Sequence, residues 1–255
     1  MNVLGIIPAR YASTRFPGKP LALIDGKSMI RRVYEQCLEC RDLSRVVVAT
    51  DSKAIYTHVA GFGGEVVMTS EKHTSGTERC AEVVSALCKN HKSPKPEAVV
   101  NIQGDEPFID PAQISEVIHA FLDPDVQIAT LAKRIVSEED IRNPNVVKVV
   151  FTSGHQALYF SRSPIPFMRN VAENEWGRQG VFFRHVGIYG YRPDVLSMLV
   201  SLPTSSLEKA ESLEQLRWLE AGFQISVEET EYETIAIDTP ADLLKITNNP
   251  PQNRP

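Results

Sequence analysis

Short apolar runs alternate with amphipathic stretches through the first half of the chain. Four of these runs have the length and β-branched content of buried strands, at residues 3–8, 45–50, 65–69 and 98–103. Apolar positions recur at helical spacing over 28–43, 52–62, 77–92 and 111–122. Capping residues precede or begin these stretches, namely Ser28, Ser52, Thr77 and Asp110. The alternation predicts an α/β fold with a doubly wound, mostly parallel sheet, whose ligand crevice lies at the carboxyl ends of the strands.

The pattern changes between residues 128 and 191. Short strands are predicted at 146–151, 157–160 and 186–191, separated by the sequence RSPIP and by a charged loop. This segment resembles an excursion from the core, suited to a lid or a subunit interface. Helices then follow around 194–202 and 209–221, strands at 224–229 and 234–237, and a last helix capped by Thr239 with Asp242 three residues on. We therefore predict one domain over 1–247, with its core at about 1–127 and 192–247, and a disordered tail over 248–255.

Composition narrows the classes of function. The chain of 255 residues is 42% hydrophobic, which is enough for a full core, and its formal charge of −5 gives no basic footprint for nucleic acid. No apolar run approaches the roughly 20 residues that cross a bilayer, and the N-terminus lacks the basic region of a signal peptide. These features predict a cytoplasmic protein without membrane insertion. Cys37 and Cys40 form a CxxC, but Cys80 and Cys88 have the wrong spacing to complete a zinc site, so buried or half-buried thiols are expected.

The first predicted strand leads into a cationic loop. Arg10, Arg15 and Lys19 fall within ten residues, with no acidic residue before Asp25. Small residues that let backbone amides approach an anion accompany them, namely Ala12, Ser13, Thr14 and Gly18. The loop suits a polyphosphate, and a solvated basic loop is the alternative. It matches neither GxxxxGK[ST] nor GxGxxG, which weighs against a dehydrogenase and makes Asp51 a helix-entry carboxylate rather than a ribose ligand.

Two isolated carboxylates follow predicted strands. Asp105 comes after the strand at 98–103, and Asp238 after the strand at 234–237. Such a pair suits Mg²⁺ held by one or two carboxylates together with phosphate oxygens. From the residues alone, Asp105 closing a turn and Asp238 favouring a helix N-terminus are equally good interpretations. Glu106 is a weaker candidate because Pro107 orients it away, and Asp110 is interpreted as a cap.

Seven motifs occur in order along nearly the whole chain. They are RYASTRFPGKPL (10–21), HTSGTER (73–79), VNIQGDEP (100–107), FSRSPIP (160–166), HVGIYGYR (185–192), ESLEQLRWLEAG (211–222) and IDTPADL (237–243). Together they resemble the CMP-sugar synthetases specific for Kdo (3-deoxy-manno-octulosonate), within the sugar nucleotidyltransferases. The resemblance implies a nucleotide-diphospho-sugar transferase-like fold.

The resemblance also implies a reaction and a set of roles. CMP would pass from CTP to the anomeric hydroxyl of Kdo, giving CMP-Kdo and pyrophosphate for lipopolysaccharide biosynthesis, with Mg²⁺ as cofactor. The implied catalytic residues are Arg10, Lys19, Asp105 and Asp238, the last two also binding the metal. The implied CTP contacts are Arg10, Arg15, Lys19, Ser75, Gly76, Arg79 and Gln103. The implied sugar contacts are Gln103, Arg162, His185, Tyr189, Glu214 and Gln215.

Without the resemblance, several of these positions have plainer interpretations. HTSGTER is then a capped turn with Arg79 as a surface charge, His185 a satisfied core histidine, and Glu214 a solvated helix residue. The family also implies a homodimer, with the excursion at 128–191 as its interface.

Three alternative functions are weighed against this one. A CMP-sialic acid synthetase would share the phosphate loop but not the HTSGTER, FSRSPIP and EQLR set. A glycosyltransferase using a nucleotide-sugar donor predicts a DxD-like motif, which Asp105–Glu106 and the separate Asp238 do not form. A non-catalytic nucleotide-binding module is expected to have lost Lys19, Asp105 or Asp238, and all three are present.

Overall fold

The computed structural model describes residues 1–12, 15–89, 94–233 and 235–248. The chain forms two compact units, the first from Met1–Ser115 and Glu233–Pro255 and the second from Glu116–Tyr232. The second unit contains the whole predicted excursion at 128–191. It also contains residues 192–232, which the sequence pattern assigned to the core.

Strands and helices alternate in the first unit, as the hydrophobic pattern predicts. Its elements are β1 (Val3–Ala9), β2 (Leu23–Ile24), β3 (Lys27–Ser28), α1 (Met29–Glu39), β4 (Arg45–Thr50), α2 (Lys53–Gly61), β5 (Val66–Met68), α3 (Gly76–Lys89), β6 (Ala98–Asn101) and the start of α4 (Pro111–His119).

The main sheet of the first unit is parallel, with strand order β5-β4-β1-β6. From β1 the chain moves outward through β4 to β5, and then returns to the other side of β1 as β6. The direction of winding therefore reverses between β1 and β6. In an open α/β sheet this switch point is where a crevice opens beyond the carboxyl ends of the strands. The small antiparallel pair β2–β3 lies outside this sheet.

The second unit is richer in antiparallel pairing, as the change of pattern after residue 128 indicates. Its elements are β7 (Ile128–Arg134), α5 (Glu138–Arg142), β8 (Lys148–Phe151), β9 (Ala157–Ser161), β10 (Phe183–Tyr191), α6 (Pro193–Leu199), α7 (Ser206–Glu211), α8 (Gln215–Glu220) and β11 (Ile225–Glu229). The chain then re-enters the first unit and ends its described part in α9 (Pro240–Asn248).

Strand β7 joins the two kinds of pairing in the second unit. It pairs in parallel with β11 and antiparallel with β10, and β10 in turn pairs antiparallel with β8, which pairs with β9. The predicted α/β fold with a mostly parallel central sheet and a β-rich segment is thereby confirmed.

Four predicted helix caps are found in the structure. Ser28 and Ser52 accept hydrogen bonds from the backbone N–H groups of Arg31 and Ile55. Asp110 accepts from the N–H of Ala112 at 2.9 Å. At the last helix, Thr239 and Asp242 form the predicted reciprocal cap, with the Thr239 N–H donating to Asp242 at 2.9 Å and the Asp242 N–H donating to Thr239 at 3.2 Å.

Three element predictions are wrong. Residues 235–237, expected to be part of a strand, have no regular secondary structure, and the Ile237 N–H donates to the carbonyl of Asp105. The helix expected over 209–221 is two helices, broken where Ser212 adopts the left-handed conformation (φ 53°). The helix expected from Thr77 begins at Gly76.

Some predictions fall on residues outside the described part of the chain. These are the end of the third helix at 90–92, Ser13 and Thr14 of the cationic loop, Thr234, and the tail from residue 249 onward. Asn248, which was assigned to the tail, is the last residue of α9.

The four cysteine thiols are free, as expected. Cys37, Cys40 and Cys80 are buried and Cys88 is half-buried. Burial raises the pKa of the Cys37 thiol far above its ordinary value, with a smaller contribution from neighbouring Cys40, so it is protonated at neutral pH. Among the helices that the structure describes, none combines the length and apolar character that crossing a membrane requires.

Candidate active site

A cavity of about 350 Å³ opens in the first unit where β1 and β6 end. Pro8 and Ala9 of β1 and Gly104 after β6 form part of its wall. Every residue predicted to contact CTP, and both predicted metal-binding carboxylates, also line it, namely Arg10, Arg15, Lys19, Ser75, Gly76, Arg79, Gln103, Asp105 and Asp238. The switch point therefore gathers residues from four separate parts of the sequence.

Lys19 lies between the two carboxylates. Its ammonium donates to Asp105 Oδ2 at 2.6 Å and to Asp238 Oδ1 at 3.3 Å. The Arg15 guanidinium is 3.2 Å from the same Asp238 oxygen. Since the Lys19 side chain is only 13% exposed, this is a sheltered cation and not a solvated loop residue. The two carboxylates, 133 positions apart in the sequence, thus converge on one positive charge.

Asp238 reaches this point because the residue before it is anchored. Ile237 is fully buried in an apolar cluster that includes Phe16 of the cationic loop. Its N–H donates to the carbonyl of Asp105 at 2.9 Å. One backbone bond and one buried side chain therefore place Asp238 beside Asp105, without the strand that the sequence pattern predicts.

The cationic loop closes through a left-handed glycine. Gly18 has φ 71°, and its N–H donates to the carbonyl of Tyr11 at 3.0 Å. A Cβ at this position would lie 3.3 Å from the Tyr11 ring. Glycine is required here both for the backbone angle and for the close approach of the ring, and the turn directs Lys19 into the cavity.

A second glycine places Asp105. A Cβ on Gly104 would lie 2.8 Å from the backbone oxygen of Pro8, closer than side-chain carbons approach an oxygen. The absence of a side chain lets the segment after β6 lie directly against the end of β1. Asp105 is consequently held at the wall that β1 and its loop share.

The HTSGTER turn is fixed by a capping box at the start of α3. Ser75 Oγ accepts from the Glu78 N–H at 3.2 Å, and Glu78 Oε2 accepts from the N–H groups of Thr74 at 2.6 Å and Ser75 at 3.4 Å. Ser75, and not the predicted Thr77, therefore caps the helix. Burial alone raises the pKa of Glu78, but the bonds from Thr74 and Ser75 outweigh it, so the pKa lies below its ordinary value.

His73 is a cavity residue that the sequence reasoning missed. Its Nε2 is 2.5 Å from Glu82 Oε2, and its Nδ1 is 3.7 Å from Glu78 Oε2. Glu82 also accepts from the Ser70 N–H at 2.8 Å. Burial raises the pKa of Glu82, yet the hydrogen bonds from Ser70 and His73 lower it by more. The signal available in the sequence was Glu78 and Glu82 at positions i and i+4, which places both on one face of α3.

Arg79 is buried, contrary to its interpretation as a surface charge. It is 3% exposed, and its Nη2 donates to Asp51 Oδ2 at 2.7 Å. Its Nη1 donates to Thr69 Oγ1 at 2.6 Å and to the Ser70 carbonyl at 3.3 Å. Asp51 therefore does more than mark the entry to α2, because it carries one side of a buried ion pair.

Two of the predicted sugar contacts lie together on β10 in the second unit. The His185 ring packs between Phe160 and Tyr189, at centroid distances of 5.2 and 5.1 Å, and its Nε2 is 3.0 Å from Thr130 Oγ1. Burial lowers the pKa of His185 to about 3, so the ring is neutral at pH 7. Burial also raises the pKa of Tyr189 well above its ordinary value, and the charge of Glu214 adds to this.

The other predicted sugar contacts in the second unit are held in place by hydrogen bonds or by burial. Glu214 Oε1 accepts from Arg217 Nη2 at 2.6 Å, and Gln215 is buried. Arg162 directs its three nitrogens to backbone carbonyls, with Nε to Glu211 at 2.7 Å, Nη1 to Pro144 at 2.9 Å and Nη2 to Ser212 at 3.4 Å. The guanidinium of Arg162 thus ties together the chain around α7, and its role toward a sugar stays a prediction.

The donor set at Asp105 and Asp238 fits a hard divalent cation. In the described part of the chain, no group of three or more His, Cys, Asp and Glu side chains gathers as a metal site. Mg²⁺, however, is commonly held by one or two carboxylates plus the phosphates of its substrate. Two carboxylates that already converge on one ammonium meet that requirement. The cavity thus has the chemistry of a site for a polyphosphate with a divalent cation, in an α/β sheet of the nucleotide-binding kind.

Comparison with known proteins agrees with this chemistry. The family model described as cytidylyltransferase matches residues 4–231. A protein of Cytophaga hutchinsonii and one of Parabacteroides distasonis, both named 3-deoxy-manno-octulosonate cytidylyltransferase, are 49% and 52% identical to this chain. The alignments cover 97% of both chains in the first case and 96% of both in the second.

A solved structure is also similar over nearly its whole length. It is that of a CMP:2-keto-3-deoxy-manno-octonic acid synthetase complexed with CTP, with a TM-score of 0.88, 42% identity, and coverage of 97% of this chain and 98% of the other. The chain belongs to the cytidylyltransferase family and groups within it with the 3-deoxy-manno-octulosonate cytidylyltransferases.

Proposed function

We propose that this protein transfers CMP from CTP to the anomeric hydroxyl of Kdo, releasing pyrophosphate and forming the activated sugar used in lipopolysaccharide biosynthesis. The observation that carries the proposal is the meeting of Lys19, Asp105 and Asp238 at the switch point of the parallel sheet. The relatives named for this reaction, at about half identity over nearly the full chain, support it.

The cations of the loop bind and orient the triphosphate. Arg10, Arg15 and Lys19 line one cavity, where guanidinium and ammonium groups neutralise phosphate oxygens. In the reaction the Kdo hydroxyl attacks the α-phosphorus in line with the departing pyrophosphate. The same cations stabilise the charge that grows on that leaving group. Positioning and electrostatics supply most of the acceleration.

Asp105 and Asp238 are the residues that would hold Mg²⁺. When bound, the cation lowers the pKa of the attacking hydroxyl and neutralises charge at the reacting phosphorus. Lys19 then provides its ammonium to the phosphates from the same side of the cavity.

The nucleoside is recognised at the start of α3. Ser75, Gly76 and Arg79 line the cavity together with Gln103. A Cβ on Gly76 would lie 3.3 Å from the Pro8 side chain, so this turn is packed closely against the end of β1. We assign cytidine binding to this wall.

Kdo recognition is assigned to the predicted sugar contacts, among them Gln103. His185, being neutral, serves as a hydrogen-bonding group for hydroxyls and not as a cation. Glu214 accepts hydrogen bonds from sugar hydroxyls while Arg217 holds the carboxylate in place. Arg162, Tyr189 and Gln215 complete the set.

The test is pyrophosphate release from CTP and Mg²⁺ with Kdo, with N-acetylneuraminate, or with no sugar. We expect pyrophosphate release with Kdo, and none with N-acetylneuraminate or without a sugar. Release with the sialic acid would keep the chemistry and overturn the sugar assignment, and no release from folded protein would overturn both.

A variant links the reaction to the carboxylate. Asp105→Asn is expected to lower kcat by roughly 100- to 1,000-fold, since it weakens charge stabilisation at the reacting phosphorus. Asp110→Asn is the matched control, because Asp110 caps α4 outside the cavity lining and Asn caps helices equally well. Equal rates for Asp105→Asn and wild type would exclude the assigned role.

We further propose a cytoplasmic homodimer, with residues 128–191 at its interface. Light scattering on the protein as it elutes from a size-exclusion column is expected to give twice the mass of one chain. A mass of one chain at micromolar concentration would contradict the dimer.

A further inference from the structure

Arg79 is a cavity residue whose orientation depends on groups outside the cavity. Arg79 lines the cavity, whereas Asp51 and Thr69, to which it donates, do not appear in the cavity lining. The Arg79 side chain is 4% exposed and that of Asp51 is 18% exposed, so the pair is sheltered from water. In such surroundings an ion pair fixes geometry far more firmly than on the surface, where its net contribution is small.

Asp51 and Thr69 are themselves held on a rigid frame. Asp51 directly follows β4 and Thr69 directly follows β5, and these strands are neighbours in register, with Thr50 opposite Met68. The Thr69 N–H donates to the Thr50 carbonyl at 2.8 Å, which extends the ladder by one bond. Backbone pairing therefore fixes Thr69, and Asp51 lies one residue beyond the paired end of β4.

We propose that Asp51 is a positioning residue for nucleotide binding, acting through Arg79. It fixes one terminal nitrogen of the guanidinium while Thr69 fixes the other, so that Arg79 meets the nucleoside in one orientation. The inference rests on the proposed function, because it takes a cytidine nucleotide as the ligand of the α3 wall. It adds Asp51, whose sequence context indicates only a helix entry, to the residues on which CTP affinity depends.

The experiment is a double-mutant cycle read out by direct CTP binding. Asp51→Asn, Arg79→Gln and the double variant are compared by calorimetric titration with CTP in the absence of Kdo, and KM is then measured for CTP and for Kdo. We expect Asp51→Asn to weaken CTP binding by about tenfold or more, which is the range for a lost hydrogen bond to a charged group. The KM for Kdo stays within about twofold. In the Arg79→Gln background, Asp51→Asn adds little, because its effect passes through the missing guanidinium.

The same strands provide a matched control. At their opposite ends, Arg45 donates from Nε to Glu65 at 2.8 Å. Glu65→Gln therefore removes the carboxylate of another ion pair bridging β4 and β5, and CTP binding is expected to be unchanged. Thermal unfolding of each variant separates loss of binding from loss of fold. Should Asp51→Asn fail to fold, Thr69→Val removes the hydroxyl acceptor of Arg79 Nη1 and is expected to weaken CTP binding in the same direction.

Three results would overturn the inference. They are unchanged CTP affinity in folded Asp51→Asn, equal loss in Glu65→Gln, or additive effects of Asp51→Asn and Arg79→Gln. Failure of the proposed function gives a different result from failure of this inference. In that case wild-type protein binds CTP but releases no pyrophosphate in the presence of Kdo, and the double-mutant cycle for CTP binding can still be measured.

Discussion

At Gly104 one missing side chain determines where a carboxylate lies. Because a Cβ there would come within 2.8 Å of the Pro8 carbonyl, any larger residue must push the segment bearing Asp105 away from β1. We expect Gly104→Ala to lower the free energy of unfolding by about 1–3 kcal/mol, the usual cost of overpacking. It should also lower kcat/KM by more than the smaller fraction of folded protein explains, since Asp105 is displaced.

Urea unfolding together with pyrophosphate-release kinetics checks this expectation. Gly61→Ala is the control, because a Cβ at Gly61 in α2 meets nothing within 4 Å and alanine favours a helix. Wild-type stability and rates in Gly104→Ala would mean that the close approach to Pro8 is unimportant.

His185 makes stability depend on pH with a definite sign. Its pKa is about 3 in the folded protein against 6.5 ordinarily, so between these values the unfolded chain binds a proton that the folded one does not. Stability therefore falls as the pH falls below about 6.5, by up to about 1.4 kcal/mol per pH unit from this group. Urea titrations of wild type and His185→Gln at pH 7, 6 and 5 measure it. The wild type should lose more stability than the variant over this range, and parallel losses would show that His185 is not the group responsible.

At the same scale, the sequence predicted the chemistry of the site better than its side-chain pairings. Lys19 and Asp105 could be expected near the same edge of the sheet because both belong to segments that follow parallel strands. Asp238 was expected there through a strand that does not form, and the roles of both carboxylates were implied by the family resemblance. The pairs Asp51–Arg79 and His73–Glu82 could not, because which carboxylate meets which cation depends on the register of β4 with β5 and on the pitch of α3.

Among the elements, the predicted caps are found except at α3, where Ser75 and not Thr77 caps the helix, and strand assignments were less reliable. Ser28, Ser52 and Thr239 cap helices as predicted, because a cap depends on residues three or four apart. The segment 235–237 has a strand-like composition but forms no strand, and the Ile237 N–H donates to the Asp105 carbonyl. Pairing between distant segments is set by the tertiary structure, and local β-propensity does not reveal it.

The break between α7 and α8 supplies a prediction for an element. Ser212 ends α7 in the left-handed conformation at φ 53° and ψ 48°, which is unfavourable for a residue with a Cβ. Ser212→Gly is expected to raise the free energy of unfolding by about 0.5–1 kcal/mol, because glycine adopts this conformation without steric cost. Chemical denaturation of the variant measures the difference.

Ser212→Ala keeps the Cβ, removes the hydroxyl and serves as its control, with stability expected close to wild type. Destabilisation of Ser212→Gly alone would mean that flexibility in the unfolded chain outweighs the strain relieved.

On the scale of the whole molecule, the order of strands could be anticipated only in part. Alternating strands and helices predicted a parallel sheet, and the sheet of the first unit has that form. The extent of the second unit, from residue 116 to 232, was not visible in the sequence. Hydrophobic periodicity shows that one face of a helix is buried, but it does not show against which sheet that face packs.

The second unit also buries a lysine completely. Lys148 has no exposed surface, and its ammonium donates to the carbonyls of Val146, Arg162 and Asn143 at 2.6, 2.7 and 2.9 Å. All three of its protons are therefore committed to the backbone, whereas the side chain of Lys27 is 49% exposed.

An amine-reactive label can reach Lys148 only when the second unit opens, so the rate of its acetylation, followed by mass spectrometry, would report the frequency of that opening in the intact protein. Lys27 should be labelled within the first minutes and Lys148 only over the timescale of unfolding. The acetylation rate of this buried lysine therefore measures how long the second unit stays closed between openings.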